Sequence, residues 1–169
     1  MNGLDSKLKD IKMLISDVDG VMTDARIWLN SKGEWNRSFS VRDGIGIKLL
    51  LKSNIQVAII SGGKSKDVET RMQFLGISHV YLGIEDKATK FKEIIAKAGL
   101  QPHECAYIGD DIFDIPVLQE VGLGVVVPDA VEEVLEKDFY ITKQAGGFGA
   151  VREVCDLILK HSMHVKGRA

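Results

Sequence analysis

Residues 14–24 read LISDVDGVMTD, and the architecture of the chain follows from them. An apolar run comes first, and two carboxylates, Asp17 and Asp19, follow it at once. Ionised groups beside a core are costly unless a cation pairs with them. The stretch therefore predicts a buried strand that leads into an acidic site. It also predicts that other parts of the chain supply the cations.

Short apolar runs alternate with amphipathic stretches along the chain. The runs are rich in β-branched residues, as in strands covered on both faces, and lie at 13–16, 57–60, 79–83, 105–109, 124–127 and 138–142. Helical periodicity separates them, and Gly76, Gly99 and Gly122 stand where the helices are expected to end. This alternation predicts an α/β fold, a Rossmann-like parallel sheet with helices on both faces and right-handed crossovers.

One segment interrupts the alternation. Two tryptophan-containing stretches, RIWLN and EWNRSF, flank a turn-like SKG at 31–33, which predicts a small β-hairpin inserted over about 25–39. The length of 169 residues fits a single domain over 1–169. A C-terminal helix and tail are expected over about 146–169.

Composition excludes several classes of partner. The net charge is −2 with both signs mixed throughout, so neither nucleic acid nor a membrane is expected as a partner. No apolar run approaches the roughly 20 residues that span a bilayer, and the N-terminus lacks a signal-peptide core. Cys105 and Cys155 lie in apolar contexts and are expected to be buried, reduced thiols, which predicts a cytoplasmic location.

Polar residues follow four of the predicted strands. In strand order they are Asp17 and Asp19, then Ser61, then Lys87, then Asp110, Asp111 and Asp114. Ligands bind beyond the carboxyl ends of parallel strands, so these side chains are expected at one edge. The carboxylates would repel one another without a cation, and hard oxygen ligands favour Mg²⁺. Such a site supports phosphoryl transfer, in which one carboxylate attacks phosphorus and another moves protons.

The motifs DVDGVMTD, ISGG, DK and GDDIFD occur in this order, and together they resemble the four motifs of the haloacid dehalogenase superfamily of phosphatases. The resemblance covers essentially the whole chain. It implies that Asp17 is the nucleophile and Asp19 the general acid/base, with Ser61 and Lys87 orienting the phosphate. The implied magnesium ligands are Asp17, the main-chain carbonyl of Asp19 and Asp110, with Asp111 and Asp114 in support.

The spacing of these motifs leaves no room for a cap domain. Superfamily caps are inserted between the first and second motifs or between the third and fourth. Here the gaps from Asp17 to Ser61 and from Lys87 to Asp110 are too short for a folded one. The site is then open unless another subunit closes it, and exclusion of water favours closure. The spacing therefore predicts an oligomer.

Two further stretches, SFSVRDGIGIKLL at 38–50 and QAGGFGAVREVCDLIL at 144–159, resemble the 3-deoxy-D-manno-octulosonate (KDO) 8-phosphate phosphatase family. That family removes phosphate from a sugar acid on the route to lipopolysaccharide. The resemblance implies a phosphorylated sugar-acid substrate and a homotetramer in which the tail or a neighbouring subunit covers the active site. The implied substrate-binding residues are Asp19, Ser40, Val41, Arg42, Asp43, Gly44, Arg71 and Lys87.

The sequence departs from that family at one place. The family usually carries Arg directly after the SG of the second motif, whereas here Gly63 is followed by Lys64, which lacks the planar fork of Arg. A related ulosonic acid, such as a nononate 9-phosphate, therefore stays open as the substrate. A non-catalytic phospho-acceptor module is a second alternative, because receiver domains also gather acids, a hydroxyl and a lysine around Mg²⁺. The acidic pair after the first strand favours the enzyme.

Overall fold

A parallel sheet runs through the middle of the molecule in the computed structural model, which describes residues 3–161. The strands are β1 (Met13–Ser16), β2 (Trp28–Leu29), β3 (Trp35–Asn36), β4 (Gln56–Ser61), β5 (His79–Leu82), β6 (Cys105–Gly109), β7 (Leu123–Val126) and β8 (Tyr140–Ile141). The helices are α1 (Gly3–Leu8), α2 (Val41–Lys52), α3 (Lys66–Leu75), α4 (Lys87–Ala98), α5 (Ile115–Glu120), α6 (Glu132–Leu135) and α7 (Ala150–His161). Short 3₁₀ turns form at Pro102–Glu104 and Ile112–Asp114.

The strand order is β5-β4-β1-β6-β7-β8, and every pairing in this sheet is parallel. The predicted α/β fold is confirmed. β1 is central, with Met13 level with Gln56 on one side and with Cys105 on the other. The chain builds β4 and β5 on one side of β1 and then returns to build β6, β7 and β8 on the other. Ligand crevices form where the strand order reverses in this way, at the carboxyl ends of the strands.

The central strands are continuous apolar runs because helices cover both faces of the sheet. Every residue of β1 and of β6 is buried. At the edge, the predicted strand over 138–142 is shorter than expected and pairs only through Tyr140–Ile141. The chain turns away at Thr142, whose hydroxyl donates to the carbonyl oxygen of Gln144 at 2.7 Å. Among the described helices, none has the length and apolar character that crossing a bilayer requires.

Two of the three predicted glycine caps are confirmed. Gly76 and Gly99 follow α3 and α4 with φ of 78° and 66°, the left-handed conformation that glycine adopts at low cost. The prediction for Gly122 is wrong, because α5 is followed by an extended Val121 and Gly122 has no positive φ. Glycine is needed there for close approach, since a Cβ atom would lie 2.2 Å from the carbonyl oxygen of His103.

The predicted hairpin is present as the antiparallel pair β2 and β3, with Trp28 opposite Asn36. Its turn closes through the amide of Gly33, which donates to the carbonyl oxygen of Asn30 at 3.0 Å. Between β1 and β4 the described chain builds this hairpin and α2. Between α4 and β6 it builds a single 3₁₀ turn. Neither connection contains a folded cap, so the carboxyl edge of the sheet stays uncovered within one subunit.

Helix α2 packs closely on α7 because Gly46 of α2, which has no side chain, faces that helix. A Cβ atom on Gly46 would lie 3.1 Å from the Cβ atom of Cys155. Asp43 is only 1% exposed, and its Oδ1 accepts a hydrogen bond from the amide of Arg152 at 2.8 Å. The buried carboxylate thus ties the first turn of α2 to the first turn of α7, where free helix amides need acceptors.

Candidate active site

The carboxyl ends of β1, β4 and β6 open into a cleft of about 550 Å³. Residues that the sequence predicted for catalysis and metal binding line it together: Asp17, Asp19, Ser61, Lys87, Asp110 and Asp111. They come from four separate connections of the chain, so the strand order alone accounts for their meeting. Asp114 lies directly behind this lining and is fully buried.

Asp17 is held firmly at the floor of the cleft. Its amide donates to the carbonyl oxygen of Ile108 at 3.0 Å, and its Oδ1 accepts from the amide of Val18 at 2.7 Å. Its Oδ2 lies 2.9 Å from Nζ of Lys87. Burial and the charge of Asp114 raise the pKa of Asp17 to about 7, although Lys87 opposes the shift. The carboxylate is therefore oriented, poorly solvated and paired on one side with a cation.

Lys87, the first residue of α4, is buried between two carboxylates. Its Nζ lies 2.9 Å from Oδ2 of Asp17 and 2.7 Å from Oδ1 of Asp114. Burial works against the charge of Lys87, but the two carboxylates outweigh it and raise the pKa of Lys87. The side chain is therefore a fixed ammonium in the cleft.

The carboxylate of Asp114 accepts hydrogen bonds from four groups around the cleft. Its Oδ1 accepts from Lys87 and from the hydroxyl of Tyr107 at 2.6 Å. Its Oδ2 accepts from the amides of Asp110 and Asp111 at 3.0 and 3.1 Å. Because both oxygens already accept two hydrogen bonds each, the carboxylate has no capacity left for a substrate. Its position fixes Lys87 and the loop after β6, and its supporting role in catalysis stays a prediction.

Tyr107 is a residue that the sequence analysis missed, since it counted only as part of the apolar run of β6. It is fully buried, and its hydroxyl reaches Asp114. A tyrosine in an otherwise aliphatic buried strand is itself a signal, because a buried hydroxyl needs a hydrogen-bond partner.

We expect Tyr107→Phe to lower the free energy of unfolding by about 1–3 kcal/mol, because it leaves a buried carboxylate oxygen with one donor fewer. Urea denaturation would measure the loss. Tyr81→Phe is the matched control, since Tyr81 lies half-buried on the edge strand β5. A loss of equal size in both variants would contradict the role given to the Tyr107 hydroxyl.

The carboxylates of the cleft fit a divalent cation. Oxygens of Asp17, Asp110 and Asp114 all lie within 4.8 Å of one another. Oδ1 of Asp110 is buried and has no hydrogen-bond partner among the described residues, which is what a metal ligand would show. Asp114 is already saturated, so Asp17 and Asp110 are the two carboxylates that could hold the ion. Oxygen ligands of this kind suit Mg²⁺.

The backbone at Gly20 makes room for the carboxylate of Asp110. Gly20 has a φ of 86°, and a Cβ atom there would lie 1.9 Å from Oδ2 of Asp110. Burial and the charges of Asp17 and Asp114 raise the pKa of Asp110 to about 8. Without a cation, this group and Asp17 hold protons in the folded state at pH values where the unfolded chain has lost them.

We expect Mg²⁺ to raise the Tm more at about pH 9 than at about pH 6, because the ion competes with protons for Asp17 and Asp110. The sign follows from the raised pKa values. Between about pH 4 and pH 8 the folded state binds more protons than the unfolded state, so metal-free stability falls as pH rises. Thermal melts with Mg²⁺ and with EDTA would measure this. Equal Mg²⁺ shifts at both pH values, or a full shift in Asp110→Asn, would contradict it.

Arg37 is a second residue that the sequence analysis missed. It follows β3 at the end of the hairpin, and its side chain is only 7% exposed. Its Nε donates to Oδ1 of Asp19 at 2.5 Å and its Nη2 donates to Oδ2 of the same carboxylate at 3.1 Å. This bonding raises the pKa of Arg37 further above its usual value. No local pattern in the sequence indicates this pairing, because it is the packing of the hairpin that brings Arg37 to Asp19.

Three of the residues implied for the substrate, Ser40, Val41 and Arg42, lie outside the cleft. They line a separate groove of about 370 Å³ beside Phe148. Ser40 caps the start of α2, where its hydroxyl accepts from the amide of Asp43 at 3.3 Å. Arg42 is exposed to solvent. Within one subunit these residues and Asp17 therefore do not share a cavity.

The other residues implied for the substrate have packing roles within the subunit. Asp43 faces α7, and a Cβ atom on Gly44 would lie 2.5 Å from Nη2 of Arg71. Nη2 of Arg71 donates to the carbonyl oxygen of Ser40 at 3.0 Å. Burial lowers the pKa of Arg71, against the charge of Asp43. Their substrate roles stay predictions that one subunit alone does not test.

The chain is similar to known proteins over most of its length. The model of the haloacid dehalogenase-like hydrolase family matches residues 35–122. The 3-deoxy-D-manno-octulosonate 8-phosphate phosphatase of Yersinia pestis is 51% identical over 150 residues, which cover 89% of this chain and 80% of that protein. This chain belongs to the haloacid dehalogenase-like hydrolases. The predicted class, a phosphoric monoester hydrolase, is confirmed.

Other members of the family agree in sequence and in structure. The 3-deoxy-D-manno-octulosonate 8-phosphate phosphatase of Escherichia coli K12 is 47% identical over 154 residues, covering 91% of this chain and 82% of that protein. The crystal structure of the Moraxella catarrhalis phosphatase of the same name, in complex with magnesium, phosphate and KDO, is 43% identical with a TM-score of 0.92, covering 99% of this chain and 96% of that one. The magnesium prediction is thereby confirmed at the level of the family.

Proposed function

We propose that this chain is a Mg²⁺-dependent phosphatase that hydrolyses 3-deoxy-D-manno-octulosonate 8-phosphate to the free sugar acid and inorganic phosphate. The observation that carries the proposal is the pairing of buried Asp17 with Lys87 at the carboxyl edge of the sheet, where Asp19 faces the same cleft. The relatives named above support the substrate, and we propose that the sugar acid released serves lipopolysaccharide precursor synthesis.

The first chemical step is a displacement at phosphorus. The Asp17 carboxylate attacks, the bond from phosphorus to the sugar oxygen breaks, and an aspartyl phosphate forms. Asp19 gives its proton to the departing sugar oxygen, which leaves as a hydroxyl. The amide of Val18 and Nζ of Lys87 hold the attacking carboxylate in place, which lowers the entropic cost of the step.

The second step restores the enzyme. Asp19, now ionised, takes a proton from water, and the resulting hydroxide attacks phosphorus. The bond between phosphorus and Asp17 breaks, and inorganic phosphate leaves. One carboxyl thus serves as acid and then as base, so the protons balance over the cycle.

Positive charge and hydrogen-bond donors stabilise the phosphoryl group in both steps. Lys87 supplies a buried ammonium, and the hydroxyl of Ser61 accepts from the amide of Gly63 at 3.3 Å, which leaves its proton free to point to phosphate. Mg²⁺, when bound by Asp17, the main-chain carbonyl of Asp19 and Asp110, adds the charge that offsets the phosphoryl oxygens.

The sugar acid is bound with help from a neighbouring subunit in a homotetramer. The cleft of one subunit contains none of the residues implied for the sugar between Ser40 and Gly44. Large apolar side chains are exposed beside that segment and on the hairpin: Trp28, Leu29, Trp35, Val41 and Phe148. Such a patch is typical of a protein interface. The part of the predicted tail after His161 lies outside the described residues.

We expect mixed oligomers of Asp17→Asn and Arg42→Ala to recover activity well above that of either variant, because a hybrid site then has one intact copy of each residue. Light scattering would establish the assembly, and phosphate release after mixed refolding would measure recovery. A micromolar monomer, or hybrids no more active than their parents, would contradict the shared site.

Phosphate release from a panel of substrates, with Mg²⁺ and with EDTA, tests the activity. The panel contains KDO 8-phosphate, a nononate 9-phosphate and simple hexose phosphates. Mg²⁺-dependent preference for the octulosonate is the expected result. Preference for the nononate, the alternative that stays open because the family's usual guanidinium is missing at Gly63, would change the substrate and keep the mechanism. No release from any compound would overturn the activity and favour a non-catalytic phospho-acceptor.

We propose a cytoplasmic location for this activity. Cys105 and Cys155 are both unpaired and buried, which is typical of proteins in reducing compartments. Burial raises the pKa of Cys105 to about 12, so its thiol stays protonated and inert.

A further inference from the structure

We propose that Arg37 is the positioning residue for the proton-transfer carboxylate of Asp19, and that Gly63 is glycine because Arg37 occupies the space beside it. The inference rests on the proposed function, since it concerns how the same site moves protons. It goes beyond that function by giving the hairpin a part in the chemistry.

The contact between the two side chains is a fork. Two nitrogens of the Arg37 guanidinium meet the two oxygens of Asp19, Nε with Oδ1 and Nη2 with Oδ2. A bidentate pair of this kind fixes the plane of the carboxylate as well as its distance. Asp19 keeps 36% of its side chain exposed toward the cleft, so the fork orients it without burying it.

The Arg37 side chain also contacts two residues at the start of α3. Its Nη1 donates to Oγ of Ser65 at 2.8 Å and lies 3.2 Å from Oδ1 of Asp67, and Ser65 in turn donates to Asp67 at 2.5 Å. These contacts hold the guanidinium to the start of α3. Asp19 is therefore connected through one rigid side chain to a helix and to the hairpin.

The orientation of Asp19 matters because this carboxyl transfers protons. A proton-transfer group must come within hydrogen-bond reach of the leaving oxygen and then of water. Displacement by about 1 Å can cost on the order of 10²-fold in rate. Asp17 has its own amide and ammonium contacts, whereas the Arg37 fork is the side-chain contact that the structure gives Asp19.

Gly63 lies directly beside this fork, so that even a methyl group there would be in tight contact with Asp19. A Cβ atom on Gly63 would lie 3.2 Å from Oδ2 of Asp19 and 3.5 Å from Nη2 of Arg37. A longer side chain at position 63 would therefore compete with Arg37 for the same carboxylate. Position 63 itself carries no cation, and the Arg37 side chain of the hairpin supplies the one that pairs with Asp19.

The test compares two substrates in Arg37→Ala. One is the sugar phosphate that the wild type prefers, whose leaving oxygen needs a proton. The other is p-nitrophenyl phosphate, whose leaving group departs without one. We expect kcat for the sugar phosphate to fall about 10²-fold with little change in KM, since proton transfer is worth that much or more. For the aryl ester we expect a rapid burst of nitrophenolate followed by slow turnover, because only the second step then needs Asp19.

Four further variants extend the comparison. Arg37→Lys keeps the charge and loses the fork, so it should recover only part of the rate. Gly63→Arg alone should slow the enzyme by displacing Arg37, whereas Gly63→Arg combined with Arg37→Ala should be faster than either single variant. Arg26→Ala, a hairpin arginine whose side chain is 87% exposed, should turn over as the wild type does.

These measurements distinguish failure of the proposed phosphatase activity from failure of the positioning role of Arg37. A wild type that releases no phosphate from either substrate overturns the proposed function and this inference with it. A working wild type whose Arg37→Ala variant loses the aryl burst and sugar turnover equally overturns this inference alone, since Arg37 then only supports the fold. If Arg37→Ala does not fold, the Gly63→Arg double variant decides, and the absence of rescue there overturns the inference.

Discussion

Asp17→Asn is expected to lower kcat by roughly 10⁴-fold or more, because an amide cannot attack phosphorus and loss of a nucleophile removes the whole covalent route. The change is nearly isosteric, and the amide side chain of the variant would still face the backbone N–H of Val18 and the ammonium of Lys87. We therefore expect phosphate release to vanish while the cooperative thermal transition remains. Continuous phosphate release from saturating sugar phosphate in Mg²⁺ is the measurement.

The matched control is Asp156→Asn, which makes the same substitution at an exposed position of α7 that pairs with Arg152. Its activity should equal that of the wild type. Phosphate release by Asp17→Asn within about tenfold of the wild-type rate would contradict the assignment of the nucleophile, because effects of that size do not require a lost covalent step.

Lys87→Met is expected to abolish most activity and also to destabilise the fold by about 3–5 kcal/mol, because it leaves two buried carboxylates without their cation. Asp17 and Asp114 both lie close to Nζ, at 2.9 and 2.7 Å. Removal of an ammonium that stabilises the phosphoryl oxygens should cost on the order of 10²–10³-fold in kcat. Urea denaturation and phosphate release measure the two effects.

The destabilisation should depend on pH in a stated direction. Without Lys87 the pKa of Asp17 rises above about 7, so this carboxyl protonates more readily and the penalty shrinks as pH falls toward about 5. Lys92→Met on the same helix is the control, because Lys92 is 63% exposed and pairs with Glu120 at the surface. An equal loss in both variants, or a penalty that grows at low pH, would contradict the buried pair.

The fold could be predicted from the sequence because the apolar runs and the helical stripes are local signals. The meeting of Asp17, Ser61, Lys87 and Asp110 also followed, since parallel strands bring their carboxyl ends to one edge. The Arg37 fork and the Tyr107 hydroxyl did not follow, because each depends on where a distant segment packs. Gly122 was misread for the same reason, since only the approach of His103 explains it.

The central place of β1 has a consequence for how the chain acquires its structure during synthesis. Its first edge is covered by β4 once residue 61 has been made, but its second edge waits for β6 at residues 105–109. Until then the backbone N–H and C=O groups along the second edge of β1 have no partner strand, and such an edge can pair with another chain. The contacts that close it are distant in sequence and form slowly. Chains that end before β6 therefore leave one edge of β1 without its partner strand, which makes them the species most exposed to pairing with other chains.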